Sequence, residues 1–359
     1  MKVIKNKFSI ISILLVLLFI TSACSDGEGE VSGSASNNDN GETIEFKFGS
    51  MDSPDHVQNY DVFASFAEDV EELTEGRVKF QMHTGGALGG PQETLDNIIT
   101  GIMDVGRGLH GYNPGKYRAQ TVLHLPFLAE GNGAELSIVA QTLYDTFPEI
   151  QEEYSDVKPL WIHAADPYAI VTKDKPVRSF EDVKGLKLRT PSVEGGEMIE
   201  SWGATPVSVP APEIYDSLQK GVIDGGVFPV AAIKDFNIVD LVDYVTIGNF
   251  NTSLFYVSMN KDSWDRISPE DQKLIEENLL GLPMAERAGI AFDEQKERAE
   301  EEAKAAGVEF IELPDEELEK FKEASSVVVD KWLADMEELG IDGEKIYNEA
   351  LRLIEEQKE

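Results

Sequence analysis

From Thr43 to Met259 the chain alternates short strand-patterned runs with helix-patterned ones, and few architectures accommodate that order. Ile44, Phe46 and Phe48 fall on one face of a strand, where side chains alternate with period two. Val62, Phe63, Phe66, Ala67, Val70 and Leu73 then follow helical spacing up to Gly76. Val78, Phe80 and Met82 make the next strand, and the turn Gly85-Gly86-Ala87-Leu88-Gly89-Gly90 leads to Pro91 at a helix start, with a stop near Gly101. Further strands are expected at Leu160–His163, Tyr168–Thr172, Leu186–Arg189, Pro206–Val209, Asp243–Ile247 and Leu254–Met259, with helices between them. Such alternation predicts an α/β fold with mostly parallel pairing.

Five residues repeat at identical spacing: Glu93, Asp96, Gly101, Asp104 and Gly106 recur as Glu213, Asp216, Gly221, Asp224 and Gly226. Each copy reads as a helix, a glycine stop and a short strand ending in Asp-x-Gly. A length of 359 residues is too great for one compact core. Together these predict two lobes built on similar units that close on a ligand between strand ends; coincidence is the competing reading of the repeat. From Glu270 to Ala306 the chain is helix-forming except at Gly281, Pro283 and Gly289. The proline should break the helix, and the part beyond it could bridge both lobes. Phe321, Val327, Trp332, Met336 and Leu339 lie near helical spacing and predict a packing helix pair, not a third domain. The expected organisation is residues 44–164 with 252–300 as the first lobe, 165–251 as the second, and 301–359 as C-terminal packing helices.

The N-terminus carries different information. Lys2, Lys5 and Lys7 precede an apolar run from Phe8 to Ile20, too short to span a bilayer comfortably, followed by the small residues Thr21-Ser22-Ala23 and then Cys24. Residues 1–23 read as a secretory signal, and the only cysteine of the chain stands directly after it, an arrangement that resembles a bacterial lipobox. Cys24 is the expected lipidated first residue of the mature protein, although Thr21 replaces the usual leucine; an ordinary signal peptide is the alternative. Ser25 to about Gly41 is Gly, Ser, Asn, Asp and Glu with one Val and one Ala, a composition that cannot bury enough apolar area to fold. Residues 24–43 are therefore expected to hold the folded body at a membrane on its outer face, on a flexible tether spanning about 20–25 Å.

Charge excludes one class of partner. With 31 Lys+Arg against 67 Asp+Glu the formal net charge is -36, and without the three leader lysines it becomes -39. Such a chain repels nucleic acid. Enzyme signatures are missing as well: the five histidines (His56, His83, His110, His124, His163) show no metal-ligand spacing, and no Gly-x-Ser-x-Gly elbow is present. The Gly85–Gly90 turn lacks the Lys-Ser/Thr of a P-loop and the spacing of a dinucleotide fingerprint. No catalytic residue, metal site or cofactor is expected, and the abundant acids read as solvated helix faces.

One basic residue stands apart. In Gly185-Leu186-Lys187-Leu188-Arg189-Thr190-Pro191 a strand delivers Arg189 to its C-terminal end, where open α/β sheets place ligand contacts. The planar guanidinium fork suits a carboxylate. A structural ion pair with one of the many acids is the alternative reading of Arg189.

Several runs carry a family likeness. Gly76-Arg77-Val78-Lys79-Phe80, Gly85 through Glu93, and Gly101-Ile102-Met103-Asp104 resemble the first lobe of the DctP-type solute-binding proteins of TRAP (tripartite ATP-independent periplasmic) transporters. Leu125-Pro126-Phe127-Leu128 is similar to their Leu-Pro-Phe segment. Asp182 through Pro191, Trp202 through Val207 and Glu213 through Gly225 follow in the family's order, so the resemblance runs from about Ile44 to Gly307. It implies a bilobal periplasmic-binding-protein-like α/β fold, with the lobes joined by crossing strands and a long bridging helix. It further implies a non-enzymatic protein that captures an organic acid, holds its carboxylate on Arg189 and hands it to an ion-gradient-driven TRAP permease. An extracytoplasmic ligand-sensing subunit for a sensor kinase is the alternative.

Departures from the family pattern bear on the ligand. The second arginine of sialic-acid-binding members falls at Ala169, the asparagine of their Asp-Gly-Gln-Glu-Asn-Pro run at Phe228, the polar residue after the first strand at Met51, and a pocket glutamate at Leu109. Apolar walls that leave a sugar's hydroxyls unpaired would cost about 1–3 kcal/mol per buried group. An acid with an apolar or aromatic body is therefore expected. The candidate binding residues are Arg189, Phe228, Met51, Tyr168, Trp161, Leu109 and Ser192; for Phe228, packing between the lobes is the alternative.

Overall fold

Two mixed sheets take up the strand-patterned segments of residues 43–358, the part of the chain that the structure, a computed structural model, describes. The leader, Cys24 and the tether lie outside the described residues. In chain order the strands are β1 (Ile44–Ser50), β2 (Val78–His83), β3 (Val105–Leu109), β4 (Lys158–Ala164), β5 (Tyr168–Thr172), β6 (Lys187–Thr190), β7 (Thr205–Ser208), β8 (Gly225–Pro229), β9 (Tyr244–Ile247), β10 (Leu254–Met259) and β11 (Glu309–Glu312). The first sheet has the order β2-β1-β3-β10-β4 and the second β11-β9-β5-β8-β6-β7. Parallel pairing is interrupted at β10 and β5, each antiparallel to both of its neighbours. These are the strands entered after the chain has passed from one sheet to the other, so they arrive from the opposite end.

Around the first sheet lie α1 (Ala64–Leu73), α2 (Thr94–Ile99), α3 (Gly133–Thr146) and α4 (Pro148–Glu152). Around the second lie α5 (Val193–Ser201), α6 (Ile214–Gln219) and α7 (Ala232–Asp235). After β10 come α8 (Lys261–Asp265), α9 (Pro269–Asn278), α10 (Leu282–Ala306), α11 (Asp315–Glu338) and α12 (Gly343–Glu356). No helix among the described residues is long and apolar enough to cross a membrane.

The sequence repeat is a structural repeat. In both sheets a 3₁₀ turn leads to a six-residue helix (α2 or α6), a left-handed glycine (Gly101 φ 74°, Gly221 φ 68°), an aspartate and then a strand. The aspartate clamps the neighbouring parallel strand. Asp104 accepts from Lys47 N at 2.7 Å and donates its own N–H to Lys47 O at 3.0 Å; Asp224 does the same to Lys187 at 2.8 and 2.8 Å. Asp-x-Gly thus opens β3 and β8, where a strand ending was expected, because the aspartate sits at the edge where the helix hands over to the sheet. Gly226 is dictated by crowding: a Cβ there would lie 2.4 Å from the Phe228 ring and 3.1 Å from Arg189 Cβ.

The sheets are joined by two backbone crossings, 165–167 and 248–253, which pair with each other. Tyr168 N donates to Asn251 O (2.8 Å), Phe250 N to Tyr168 O (3.1 Å) and Ala165 N to Ser253 O (3.1 Å). The third link is α10, 25 residues and so about 37 Å long. The helical run breaks at Gly281 (φ 74°), and Pro283 occupies the first turn of α10, where its missing N–H costs nothing. Helix α10 packs against α3 and β4 beside the first sheet and against α7 beside the second. Its crossing with α3 is made by glycines: a Cβ at Gly289 would lie 2.4 Å from Gly133 O, a backbone atom that cannot step aside.

Helix α10 ends at Ala306, as the helix-forming run predicts, but residues 301–359 were expected as packing helices only, and Glu309–Glu312 forms β11, parallel to β9 at the edge of the second sheet. Of β11 only Ile311 is buried, so the segment carries no period-two signal, and its pairing with β9 makes it a strand. Helices α11 and α12 then pack on α5 and α3, touching elements of both sheets.

Candidate functional site

The carboxyl ends of β1, β3, β6 and β8 converge between the two sheets, and each ends on a residue or turn that faces one cavity. About 460 Å³ of empty space lies there, the open solvent at its mouth included. Five of the residues expected from sequence line it: Arg189, Phe228, Met51, Leu109 and Tyr168. Phe255, Phe292, Phe236 and Ile214 complete a largely apolar wall.

Arg189 is 3% exposed. Its Nε donates to Val209 O (2.9 Å) and its Nη2 to the Tyr112 hydroxyl (3.1 Å), which fixes the plane of the fork. Among the described residues no carboxylate lies within ion-pair distance of it. The Tyr112 hydroxyl, reached from just beyond β3, also accepts from Ala211 N at 2.7 Å and so bridges the cleft. Burial raises the pKa of Tyr112, with the Arg189 charge opposing, and burial likewise pushes Tyr168 up; both stay neutral phenols.

The other two candidates lie elsewhere. Trp161 shares a face of the first sheet with Arg107 through the register of β10, but three residues back from the end of β4, where α1 covers it. Its ring packs on Phe66 (5.0 Å) and Phe63 (6.2 Å), and it is fully buried in the core. Ser192 caps α5, its Oγ accepting from Gly195 N at 3.0 Å, and borders a neighbouring groove.

Sequence reasoning missed a polar cluster on the same cavity. Arg107, in the middle of β3, is 1% exposed, pairs through Nη1 with Asp52, and stacks its guanidinium 3.8 Å over the Phe255 ring. Burial pulls its pKa down, opposed chiefly by Asp52 and then Asp235. His56 Nε2 stands 3.8 Å from Asp52 Oδ1 and 3.5 Å from Asp235 Oδ2, and Gln295 Nε2 donates to Asp235 Oδ1 at 2.7 Å. The cluster thus runs from β3 through the turn after β1 to α7 and α10, tying both lobes. A signal was present in Gly106-Arg107-Gly108: a cation inside an apolar strand, flanked by residues without side chains. Gly108 has no room for one, since a Cβ would sit 2.1 Å from the Tyr256 ring.

No cluster of metal-ligating side chains occurs among the described residues. The cavity offers a cation without a carboxylate partner among the described residues, set in largely apolar and aromatic walls, which suits a small anion.

Comparison with known proteins agrees. A solute-binding protein of Roseobacter denitrificans is 26% identical over 260 residues, covering 69% of this chain and 75% of its own. A TRAP solute-binding protein from Rhodoferax ferrireducens, solved with copurified benzoate, matches with a TM-score of 0.84 at 27% identity over 88% of this chain and 99% of that one. A marine-metagenome TRAP solute-binding protein specific for aromatic acid ligands, solved with 3-hydroxybenzoate, matches with a TM-score of 0.82 at 29% identity over 88% and 99%. Residues 48–335 match the model of the bacterial extracellular solute-binding proteins, family 7, and the chain belongs to this family, the DctP-type solute-binding proteins of TRAP transporters.

Proposed function

We propose that the protein captures a monocarboxylic acid with an aromatic or apolar body and delivers it to an ion-gradient-driven permease. The observation that carries this reading is Arg189: a buried guanidinium, held by Val209 and Tyr112 and without a carboxylate partner among the described residues, at the edge of a cavity walled by aromatic and aliphatic side chains. A ligand carboxylate supplies the missing counter-charge, and Phe228, Met51, Leu109 and Tyr168 enclose the body. The benzoate found in the Rhodoferax protein, of matching fold, supports the same ligand class.

Calorimetry with benzoate, phenylacetate and glucuronate tests it. At least one aromatic acid is expected to bind about a hundredfold more tightly than glucuronate, whose several hydroxyls would be left unpaired. Tight binding to the sugar acid alone would overturn the reading, and mass spectrometry of copurifying ligand offers an independent answer.

Delivery from a membrane-held position is part of the same reading, with Cys24 as the lipid anchor. Cys24→Ala is expected to move the protein from the membrane fraction to the soluble one. Equal partitioning of wild type and variant would rule the anchor out.

A further inference from the structure

Arg107 is only half used by the protein. Of its three guanidinium nitrogens, Nη1 meets Asp52, while Nε and Nη2 are buried without a hydrogen-bond partner among the described residues. Buried donors are rarely left so, and each such group calls for an explanation. The stack on Phe255 holds the plane of the fork, and Arg107 lines the same cavity as Arg189 from the opposite sheet. Its free N–H groups therefore belong to the ligand's surroundings.

The two arginines differ in charge balance. Arg189 has no carboxylate partner among the described residues, whereas Arg107 is paired with Asp52, and a second acid, Asp235, lies close enough to act on its charge. A ligand carboxylate at Arg107 would meet the field of both aspartates. A neutral oxygen would satisfy the N–H groups without that repulsion, and a hydroxyl could in addition donate a proton towards Asp52.

We infer that Arg107 is a specificity-determining residue that reads a hydroxyl oxygen on the body of the ligand. The preferred class is then a hydroxylated aromatic monocarboxylic acid, ahead of both the unsubstituted acid and a diacid. This rests on the reading of the cavity as an aromatic-acid site anchored by Arg189.

The test is calorimetry on the full mature protein with matched probes: benzoate against 3-hydroxybenzoate, phenylacetate against mandelate, and isophthalate as the diacid. The expected result is a preference of about tenfold or more for the hydroxylated member of at least one pair, with isophthalate weaker than either monoacid. Arg107→Met should abolish the preference, bringing the affinities of the two members of the pair to within about threefold of each other, whatever its effect on both together. The double variant Arg107→Met/Asp52→Asn serves if the single one, with Asp52 left unpaired, fails to fold. Parent acids that bind the wild type as tightly as their hydroxylated partners, a tighter diacid, or a preference that survives the substitution would overturn the role of Arg107 and leave the aromatic-acid site standing. If no aromatic acid binds, both fall together.

Discussion

Arg189→Ala is expected to raise the dissociation constant for an aromatic carboxylate by about a hundredfold or more, since it removes a desolvated charge-assisted pair of the kind that costs about 2–5 kcal/mol to break. The fold should survive. The residue's own contacts are two hydrogen bonds, to Val209 O and the Tyr112 hydroxyl, and Tyr112 lines the cavity that the shortened side chain would open to water. Calorimetry checks the affinity and thermal melting the fold. Arg189→Lys separates charge from geometry: it keeps the cation but loses the planar fork, and an intermediate affinity is expected. Retained affinity in the alanine variant would place the carboxylate anchor elsewhere.

Stability at low pH should respond strongly to His163. Its ring is fully buried between Phe255 (5.2 Å) and Phe292 (6.2 Å), and neither nitrogen has a partner among the described residues. Burial, with Arg107 adding to it, holds its pKa well below the ordinary value, and burial takes that of His110 to about 3. The unfolded chain protonates a histidine near pH ~6.5 while the folded chain does not, so each such residue lowers stability by about 1.4 kcal/mol per pH unit as pH falls below that value. Two carboxyls act in the opposite sense. Burial raises Asp166 well above its usual range and Glu153 to about 7, so the folded chain keeps protons that the unfolded chain has released.

The wild-type profile sums opposing slopes, and the informative quantity is a difference. Relative to wild type, His163→Phe should gain stability as pH falls from ~6.5 to ~4.5, by at most about 1.4 kcal/mol per pH unit, with the sign of a removed buried base. Urea unfolding across that window measures it. A difference independent of pH would show that His163 is as easily protonated in the folded chain as in the unfolded one.

How much of this could be read without coordinates depends on the range over which each signal acts. The strands β1, β2, β4, β5, β6, β7, β9 and β10 were legible because alternation is local to the strand, and the repeat centred on Asp104 and Asp224 because each copy is one contiguous unit. Arg189 was legible for the same reason: a strand, a cation and a proline within seven residues. β11 was not, since its partner β9 lies more than sixty residues earlier and its own pattern is weak.

The site divides along the same line. Met51, Leu109, Tyr168 and Phe228 line the cavity, while Trp161 shares the face of Arg107 yet sits one helix too deep. Alternation tells which face a residue takes but not which neighbour covers it at that depth. The pairs Arg107–Asp52 and Arg189–Tyr112 join residues 55 and 77 positions apart, set by the order of strands in two sheets. The sequence by itself determined the α/β alternation, the paired clamps, the family and the lone cysteine behind an apolar leader, all written in contiguous residues. Only the tertiary structure decided which cation is left unpaired, which is neutralised, and which aromatics wall the cavity, because charge pairing and burial are properties of neighbours that the chain brings together only by folding.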